Sequence, residues 1–325
     1  MMKKRILGLA TALLAVTSVT GVLAQDYPSK PINLILGFAP GGTTDIIARL
    51  IGPALESELG QRVIVENRTG AAGNVGMASV AAAEPDGHTL LLSAATQIVA
   101  NPFTYASMPA DPMNDLAHVA MVADAHLFFA TNAQVPAANA EKFIEMVRAR
   151  PGEINFGTPG AGNLLHIASE LFQQKAGLQM NAVHYRGTGA ALPELIANQI
   201  QMHVDGIATF MPYFESGDLK PLFVVAPERY DVLPDVPTAT EIGVPEINVM
   251  SNWYGLHAPA GTPTEIVEKL NQAIKNALAT PELSQRWDEL GLIVVDYSPE
   301  EFTERLVNES NVLEEVIATA GVRIE

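Results

Sequence analysis

The stretch Gly37-Phe38-Ala39-Pro40-Gly41-Gly42-Thr43-Thr44-Asp45 lies between an apolar run, Ile32 to Leu36, and an amphipathic run, Ile46 to Leu59. The first run predicts a buried strand, and the spacing of apolar residues in the second predicts a helix. Gly41 and Gly42 have no side chain to keep a ligand from the backbone N–H groups, and a helix N-terminus attracts anions. The turn is therefore a candidate anion site. Taken alone, it fits an ordinary strand-to-helix connection better, because Gly-rich turns are common.

Strand and helix patterns alternate along the rest of the chain, and the opening arrangement is repeated. A short strand leads into Gly157-Thr158-Pro159-Gly160-Ala161-Gly162-Asn163, and a helix pattern follows from Leu164. The alternation predicts right-handed crossovers and mostly parallel sheets, with ligands bound at the carboxyl ends of the strands. We therefore predict an α/β fold of two lobes with a cleft between them. If each lobe aims a helix N-terminus at this cleft, an acid with two carboxylates is held from both sides.

The composition excludes several classes of function. The formal charge of the 325 residues is −17, so the chain has no basic stripe for nucleic acid and no attraction to an anionic membrane surface. The chain contains no Cys, so neither a disulfide nor a lipid-modified Cys is expected. The histidines show no H-x-x-x-H spacing, which argues against zinc. We predict no metal and no cofactor.

The first 24 residues have the pattern of a signal peptide. A basic start, Lys3 to Arg5, precedes an apolar segment from Ile6 to Val22, and Val22-Leu23-Ala24 is a small-x-small cleavage site. A membrane anchor is the alternative, but the apolar segment is short and rich in Ala, Thr and Ser. We therefore predict cleavage near Ala24 and export to the periplasm. No second long apolar segment occurs, so no membrane span is expected.

Catalytic motifs are missing from the Gly-rich turns. They contain no Ser in a G-x-S-x-G elbow, no Gly-Lys-Ser/Thr of a phosphate loop and no G-x-G-x-x-G dinucleotide fingerprint. We therefore predict a binding protein and not an enzyme. An exported hydrolase or lyase that uses a cleft His and Asp is the least favoured alternative.

From residue 30 onward the chain resembles one family end to end, the solute-binding proteins of tripartite tricarboxylate transporters, or Bug receptors. Each motif is weak alone, but together and in order they are specific. Besides the turn from Phe38 to Asp45, they are Lys30-Pro31-Ile32, Val65-Glu66-Asn67-Arg68, Pro85-Asp86-Gly87-His88-Thr89-Leu90, Asn101-Pro102, Pro151-Gly152-Glu153-Ile154-Asn155-Phe156, Gly160, Gly162, His166, Glu170, Tyr185-Arg186-Gly187, Asp205, Leu233-Pro234-Asp235-Val236-Pro237-Thr238, Trp253-Tyr254-Gly255-Leu256 and Ala258-Pro259-Ala260-Gly261-Thr262-Pro263.

The resemblance implies a type II periplasmic-binding-protein (Venus flytrap) fold that holds a small carboxylate between its lobes. We expect the first lobe to comprise residues 25–125 and 249–325, and the second to comprise residues 126–248. The family pattern implies that the first carboxylate is surrounded by Phe38, Ala39, Gly41, Gly42, Thr158, Gly162, Asn163 and His166. It implies that specificity comes from Ser93, Ala94, Ala95, Thr96, Gln97 and Asp205.

The chain departs from the family pattern at three positions, which weakens any transfer of ligand identity. Asn163 replaces the common Ser, His184 replaces the common Pro, and Gly206 follows Asp205 where Asn or Ser is common. These changes leave the general mode of carboxylate binding intact.

Four candidate site residues have two interpretations each. Asp45 either accepts from a ligand ammonium or, as we favour, stabilises the first turn of its helix and lines the pocket only as a side effect. His166 either donates to the ligand or is a core histidine. Arg186 either binds a carboxylate with both nitrogens or is simply solvated. Asp205 either accepts from a ligand amine or hydroxyl or caps the next helix; an ionised Asp205 would favour an amino or hydroxy acid over a plain diacid.

The sequence thus predicts a monomeric periplasmic receptor for a di-, hydroxy-, amino- or aromatic acid. It would deliver this ligand to the integral-membrane subunits of a transporter. A receptor that signals to a membrane sensor is the alternative, and no sequence feature separates the two.

Overall fold

The structure is a computed structural model and describes residues 27–325, so the predicted signal peptide lies outside the described residues. The strands are β1 (Ile32–Leu36), β2 (Val63–Asn67), β3 (Thr89–Ala94), β4 (Leu116–Ala125), β5 (Leu127–Asn132), β6 (Asn155–Thr158), β7 (Asn181–His184), β8 (Met202–Gly206), β9 (Leu219–Val225), β10 (Asn252–Pro259) and β11 (Leu292–Ile293). They form two sheets, in the orders β11-β4-β10-β3-β1-β2 and β7-β6-β8-β5-β9. We call the two sheets with their helices the first lobe and the second lobe.

The helices flank these sheets. They are α1 (Thr43–Leu59), α2 (Asn74–Ala81), α3 (Asn101–Thr104), α4 (Ala140–Ala149), α5 (Leu164–Ala176), α6 (Thr188–Ile196), α7 (Ile207–Ser216), α8 (Thr264–Leu278), α9 (Pro281–Glu289) and α10 (Pro299–Ala320). A short π-helical segment, Thr96–Ala100, follows β3. In the described residues, no helix is long and apolar enough to cross a membrane.

The two-lobe α/β fold is confirmed, but the sheets are mixed rather than mostly parallel. In the described part of the chain, β1 pairs in parallel with β2 and β3, and β6 pairs in parallel with β7 and β8. The remaining pairings, of β10 with β3 and β4, of β11 with β4, and of β5 with β8 and β9, are antiparallel. The reason is that β10 returns from the second lobe and enters the first sheet in the reverse direction, between β3 and β4.

Helix α1 shows how the sequence positions the site. Ile47, Ile51 and Leu55 recur at helical spacing and are buried against the sheet. The helix ends at Gly60, which takes the left-handed conformation with φ +69°. It follows β1, so its N-terminus lies at the carboxyl end of a parallel strand, where ligands of such sheets gather.

Two connections join the lobes. His126 is the single residue between β4 of the first lobe and β5 of the second, and the segment after β9 returns to β10. Arg305 of α10 contacts both connections: its Nη2 lies 3.5 Å from the Asp124 carboxylate and donates to the Ser251 hydroxyl at 3.0 Å. These contacts place a pair of strand crossings side by side, which is the arrangement of a hinge between two domains.

Candidate functional site

A small cavity lies between the lobes, next to the turn from Phe38 to Asp45. The first lobe contributes Phe38, Ala39, Gly42, Thr43, Thr44, Ala94, Thr96, Asn252 and Tyr254 to its lining, and the second contributes Pro159, Asn163, Leu165, Thr188 and Asp205. Its volume is about 30 Å³, which is the scale of one or two water molecules. The lobes are therefore close together, and a larger ligand needs them to separate or extends out of this cavity.

An outer chamber of about 220 Å³ adjoins the cavity and shares Phe38 and Pro159 with it. Its walls are the Gly70–Gly73 segment of the first lobe and the His184–Arg186 segment of the second. Within the described residues, the exposed Arg186 side chain has no hydrogen-bond or ion-pair partner. The chamber therefore has a cation available beside the route into the cavity.

The N-terminus of α1 is open toward the cavity. Its N-cap residue is Gly42, which has no side chain to accept from the first turn. In the described part of the chain, the N–H groups of Gly42, Thr43 and Thr44 have no acceptor. These donors, together with the positive end of the helix, form an anion seat.

The N-terminus of α6 faces α1 across the cavity. Its N-cap is Gly187, again without a side-chain cap. A Cβ atom on Gly42 would lie 3.4 Å from the Thr188 Cβ and 3.6 Å from the Gly189 nitrogen. Thr188, at the start of α6, therefore lies next to the N-cap residue of α1.

The N-terminus of α5, in contrast, is already satisfied. The Asn163 side chain accepts from the Leu165 N–H at 2.8 Å, and the Leu164 N–H donates to the Thr96 hydroxyl at 3.1 Å. The Gly162 N–H donates to His166 Nδ1 at 3.2 Å. Asn163 and Leu165 line the cavity, but this helix end offers a ligand fewer free donors than α1 does.

Asp205 lies at the carboxyl end of β8, is 4% exposed and lines the cavity. Its Oδ1 accepts from the Gly206 N–H at 2.7 Å and from the Thr43 hydroxyl at 3.2 Å. The first bond supplies an acceptor for the N–H group of Gly206, the N-cap residue of α7. The second bond, from Thr43, joins the two lobes. Burial raises the pKa of the Asp205 carboxyl, and its hydrogen bonds act in the opposite direction.

Besides the Thr43–Asp205 bond and a contact of 2.9 Å between the Thr43 and Thr209 hydroxyls, further hydrogen bonds between the lobes surround the cavity. The Ala39 N–H donates to the Arg186 carbonyl at 2.9 Å, the Leu164 N–H donates to Thr96, and the Tyr105 hydroxyl donates to the Ala161 carbonyl at 2.9 Å. Gly189 lies so close to the Pro40 carbonyl that a Cβ atom there would overlap it. The lobes are therefore in a closed arrangement.

The structure brings seven of the predicted site residues to the cavity and places Arg186 in the outer chamber. The seven are Phe38, Ala39, Gly42, Ala94, Thr96, Asn163 and Asp205. The other predicted residues, Gly41, Asp45, Ser93, Ala95, Gln97, Thr158, Gly162 and His166, do not line it.

The polar residues outside the lining have partners within the protein. The Asp45 carboxylate accepts from Arg49 at 2.8 and 2.9 Å, which agrees with the favoured helix-stabilising role. Ser93 contacts His257 Nε2 at 2.7 Å. Gln97 accepts from Ala94, one residue beyond Ser93 on β3.

Thr158 and His166, on the second lobe, also have hydrogen-bond or ion-pair partners within the protein. The Thr158 hydroxyl lies 2.8 Å from His184 Nδ1. His166 Nε2 lies 3.4 Å from the Glu170 carboxylate, and Nδ1 accepts from Gly162. The structure therefore gives His166 the environment of a core histidine.

Sequence reasoning missed seven lining residues: Thr43, Thr44, Pro159, Leu165, Thr188, Asn252 and Tyr254. Thr188 had a visible signal, because Gly187-Thr188-Gly189 is a third strand-to-helix turn. Tyr254 is buried, and its hydroxyl accepts from the Asn252 amide at 2.9 Å. The local sequence did not indicate Asn252 or Tyr254 as lining residues, because both reach the cavity only through the reversed direction of β10.

Two larger grooves lie elsewhere. One of about 700 Å³ separates α1 from α9 on the outside of the first lobe and is lined by surface ion pairs such as Arg286 with Glu289. The other, of about 630 Å³, lies beside α8. Neither lies between the lobes, so we assign the site to the smaller cavity. No cluster of metal-ligating side chains occurs in residues 27–325.

Two α/β lobes joined by a hinge, with open helix N-termini at the cavity between them, define a two-lobe ligand-binding protein. A family model described as the tripartite tricarboxylate transporter family receptor matches residues 47–322. Protein BugT of Bordetella pertussis (strain Tohama I) is 31% identical over 323 residues, which cover 99% of each chain. The chain belongs to the tripartite tricarboxylate transporter receptor family, as its motifs predicted.

Solved structures agree in fold. Rpa4515 of R. palustris with adipate has a TM-score of 0.87 at 31% identity, covering 91% of this chain and 99% of that one. MatC (Rpa3494) of Rhodopseudomonas palustris with bound malate has a TM-score of 0.85 at 31% identity, covering 90% of this chain and 100% of that one. The periplasmic-binding-protein fold is thereby confirmed.

Proposed function

We propose that this chain is a periplasmic receptor that binds a small organic acid between its lobes and delivers it to a tripartite tricarboxylate-type membrane transporter. The observation that carries the proposal is the set of free N–H donors at the N-terminus of α1, which face the N-terminus of α6 across the cavity. A carboxylate is the ligand group that such donors select. The malate and adipate bound by MatC and Rpa4515 support the same ligand class.

Affinity requires both lobes. Binding with a micromolar dissociation constant needs a binding free energy of about 8 kcal/mol. One helix terminus contributes at most about 2 kcal/mol of this. The remainder has to come from charge-assisted hydrogen bonds of both lobes, worth about 1.5–3 kcal/mol each. Closure is therefore the step that completes the site, since the donors of α1 and α6 meet only when the lobes are together.

The two chambers indicate how a diacid would lie. One carboxylate would occupy the anion seat of α1, and the carbon chain would pass Phe38 and Pro159 into the outer chamber. The second carboxylate would then be within the same chamber as the Arg186 guanidinium, which can bind it with two nitrogens. This orientation accounts for an acidic ligand in a protein of strongly negative formal charge, because distant surface charges are screened beyond about 8–10 Å.

The proposal is tested by identifying the ligand and then blocking the seat. Native mass spectrometry of the freshly purified protein, followed by a thermal-shift panel of mono-, di- and tricarboxylates and aromatic acids, should reveal a bound acid. Gly42→Val should abolish calorimetric binding of that acid while the protein stays folded. The reason is that a Val side chain fits the extended backbone of residue 42, with φ −88° and ψ 171°, but fills the space next to Thr188.

Gly52→Ala is the matched control, because residue 52 lies in the same helix and its Cβ would only touch Val63 and Val65 at 3.8 Å. Unchanged affinity in Gly42→Val would contradict the assignment of the seat. The acid should also be recovered chemically unchanged after incubation; its conversion would favour an enzyme instead. Co-purification with transporter subunits, rather than with a sensor kinase, tests the delivery step.

A further inference from the structure

His184 is one of the few polar side chains on the wall of the outer chamber. It is the last residue of β7, is exposed, and lines the chamber together with Arg186. The family pattern has Pro at this position, which has no side-chain nitrogen that could contact a ligand. What His184 contributes to the chamber is therefore a property of this chain.

The imidazole ring of His184 is held on two sides. Its Nδ1 lies 2.8 Å from the hydroxyl of the buried Thr158, and this hydroxyl donates to the Gly160 carbonyl at 3.3 Å. A hydroxyl group has one proton, so Thr158 accepts from Nδ1, and Nδ1 carries a proton. The His166 ring packs edge-on against the His184 ring, with the two centroids 4.8 Å apart, and restricts its rotation.

The second ring nitrogen, Nε2, is the atom that His184 can offer to a ligand. Within residues 27–325 it has no hydrogen-bond partner, since the Thr158 hydroxyl contacts Nδ1. In the neutral ring Nε2 is an acceptor, because the proton is on Nδ1. It becomes a donor when the ring takes up a second proton. His184 therefore contacts a ligand donor as a neutral ring and a ligand carboxylate as an imidazolium.

The charges around the chamber favour the carboxylate. Within the described residues no Asp or Glu side chain lines it, although the chain has 36 acidic residues against 19 basic ones. Arg186 provides a cation on the same wall as His184. Burial raises the pKa of both Tyr105 and Tyr185, so these lining hydroxyls are neutral near pH 7. An anion in the chamber is attracted to Arg186, whereas a ligand ammonium is repelled by it.

Helix α5 brings two titratable side chains to the other side of the His184 ring. They are His166 and Glu170, and His166 Nε2 lies 3.4 Å from the Glu170 carboxylate. Burial and the His166 ring lower the pKa of His184, and Glu170 acts in the opposite direction. From β6 only the neutral Thr158 hydroxyl contacts the ring. The ring is therefore neutral near pH 7 until an anion enters the chamber.

We propose that His184 is a specificity-determining residue for the second acidic group of the ligand, donating as an imidazolium from Nε2 to a carboxylate in the outer chamber beside Arg186. This inference rests on the proposed function, in which the first carboxylate occupies the anion seat of α1. On binding, Nε2 takes up one proton from solvent, and no covalent bond of the ligand forms or breaks. The receptor thereby prefers a dicarboxylate over a monocarboxylate or an ω-amino acid of the same length.

Proton uptake makes the affinity depend on pH. The ligand carboxylate raises the pKa of His184 above its value in the free protein. Affinity for a fully ionised diacid should be constant below the pKa of the free ring. Above it, affinity should fall by up to about tenfold per pH unit, until the pKa of the ring in the complex is passed. A monocarboxylate places no anion in the chamber and should show no such fall.

Calorimetry with matched ligands tests the inference. Adipate is compared with hexanoate and 6-aminohexanoate, and succinate with butyrate, from about pH 6.5 to 8.5, where the carboxylates stay ionised. Buffers of different ionisation enthalpy give the number of protons taken up. We expect at least one diacid to bind about tenfold more tightly than its monocarboxylate partner. Its binding should take up close to one proton at the upper end of the pH range.

Two substitutions of His184 separate the roles of its nitrogens. His184→Asn keeps a polar group for Thr158 but does not reach the chamber, so the preference for the diacid should fall about tenfold. His184→Gln extends a neutral amide toward the chamber and should keep part of the preference without proton uptake. Lys142→Gln is the matched control, because it removes an exposed positive charge of the same lobe and lines neither cavity. It should keep both the preference and the uptake.

The outcomes separate the inference from the proposed function. Equal affinities within both ligand pairs, tighter binding of 6-aminohexanoate than of adipate, or unchanged proton uptake in His184→Asn would each overturn the inference and leave the receptor function intact. Failure of every acid to bind would overturn the proposed function instead. In that case ¹⁵N NMR of the free protein still tests the starting point, because a neutral His184 ring with its proton on Nε2 would contradict the proton uptake.

Discussion

The N-termini of α1 and α5 follow nearly the same sequence pattern and end up in opposite chemical states. Both come after a short parallel strand and a turn rich in Gly and Pro. The first turn of α1 has Gly42 as its N-cap and leaves its donors free. The first turn of α5 has Asn163 as its N-cap, and its donors are used by Asn163 itself and by Thr96.

The N-cap residue, more than the Gly-rich turn, therefore decides whether a helix end can bind an anion. An Asn side chain supplies the oxygen that a ligand would otherwise supply. A Gly N-cap in the same extended conformation has no side-chain oxygen, so a ligand carboxylate can accept from the first-turn N–H groups instead. The open end opposite α1 is therefore that of α6, whose N-cap is Gly187.

Among the substitutions that follow from this comparison, Gly189→Ala is expected to have the largest effect, because it prevents α6 from meeting α1. The added Cβ would overlap the Pro40 carbonyl of the other lobe, and only in the closed arrangement. Loss of two charge-assisted hydrogen bonds from one lobe corresponds to a fall in affinity of at least about 100-fold. Calorimetry with the cognate acid measures the fall, and small-angle scattering should show a more open protein in the presence of the ligand.

The thermal unfolding temperature of Gly189→Ala should not decrease, because Ala is a better helix residue than Gly. Gly52→Ala in α1 provides the comparison, since it makes the same change without reaching the other lobe. Wild-type affinity in Gly189→Ala would mean that the ligand does not need the contact between α6 and α1.

A smaller effect is expected from Gly42→Asn, which gives α1 the same N-cap as α5. The backbone of residue 42, with φ −88° and ψ 171°, is close to that of Asn163, with φ −64° and ψ 151°. The new side chain should accept from the first turn and compete with the ligand carboxylate for it. We expect affinity to fall about tenfold, which is 1.4 kcal/mol, and stability to rise by a few tenths of a kcal/mol. Calorimetry and denaturant unfolding measure the two changes, and equal affinity would show that the ligand binds elsewhere.

The sequence predicted the fold well because the fold depends on local patterns. Hydrophobic periodicity and Gly turns placed α1 and α5 within a few residues of their observed starts. The antiparallel entry of β10 was not predictable in this way, since pairing between distant strands leaves no local trace. The same limit explains why Tyr254 was not recognised as cavity lining.

The site was predictable only in part, because a residue's position on a loop does not fix where its side chain points. Ser93 and Gln97 are adjacent in sequence to the lining residues Ala94 and Thr96. However, a short π-helical segment starts at Thr96 and directs Gln97 back to the Ala94 N–H. The Asp45 carboxylate, in contrast, accepts from Arg49 of its own helix, as expected for a helix-stabilising residue. Asp205 had two open interpretations, and its donors, the Gly206 N–H and the Thr43 hydroxyl, could be seen only in three dimensions.

The smallest effect is expected from Asn163→Ala, which uncaps α5. Loss of the bond to the Leu165 N–H should cost about 1 kcal/mol of stability, as is usual for an N-cap. Ligand affinity should fall by only a few-fold, because a bound carboxylate can take over the freed donor. Denaturant unfolding with and without the cognate acid measures both, and the ligand should stabilise Asn163→Ala only slightly less than it stabilises the wild type. A loss of affinity as large as that of Gly189→Ala would instead make α5 an equal partner of α1, and the two termini would then differ only in the absence of ligand.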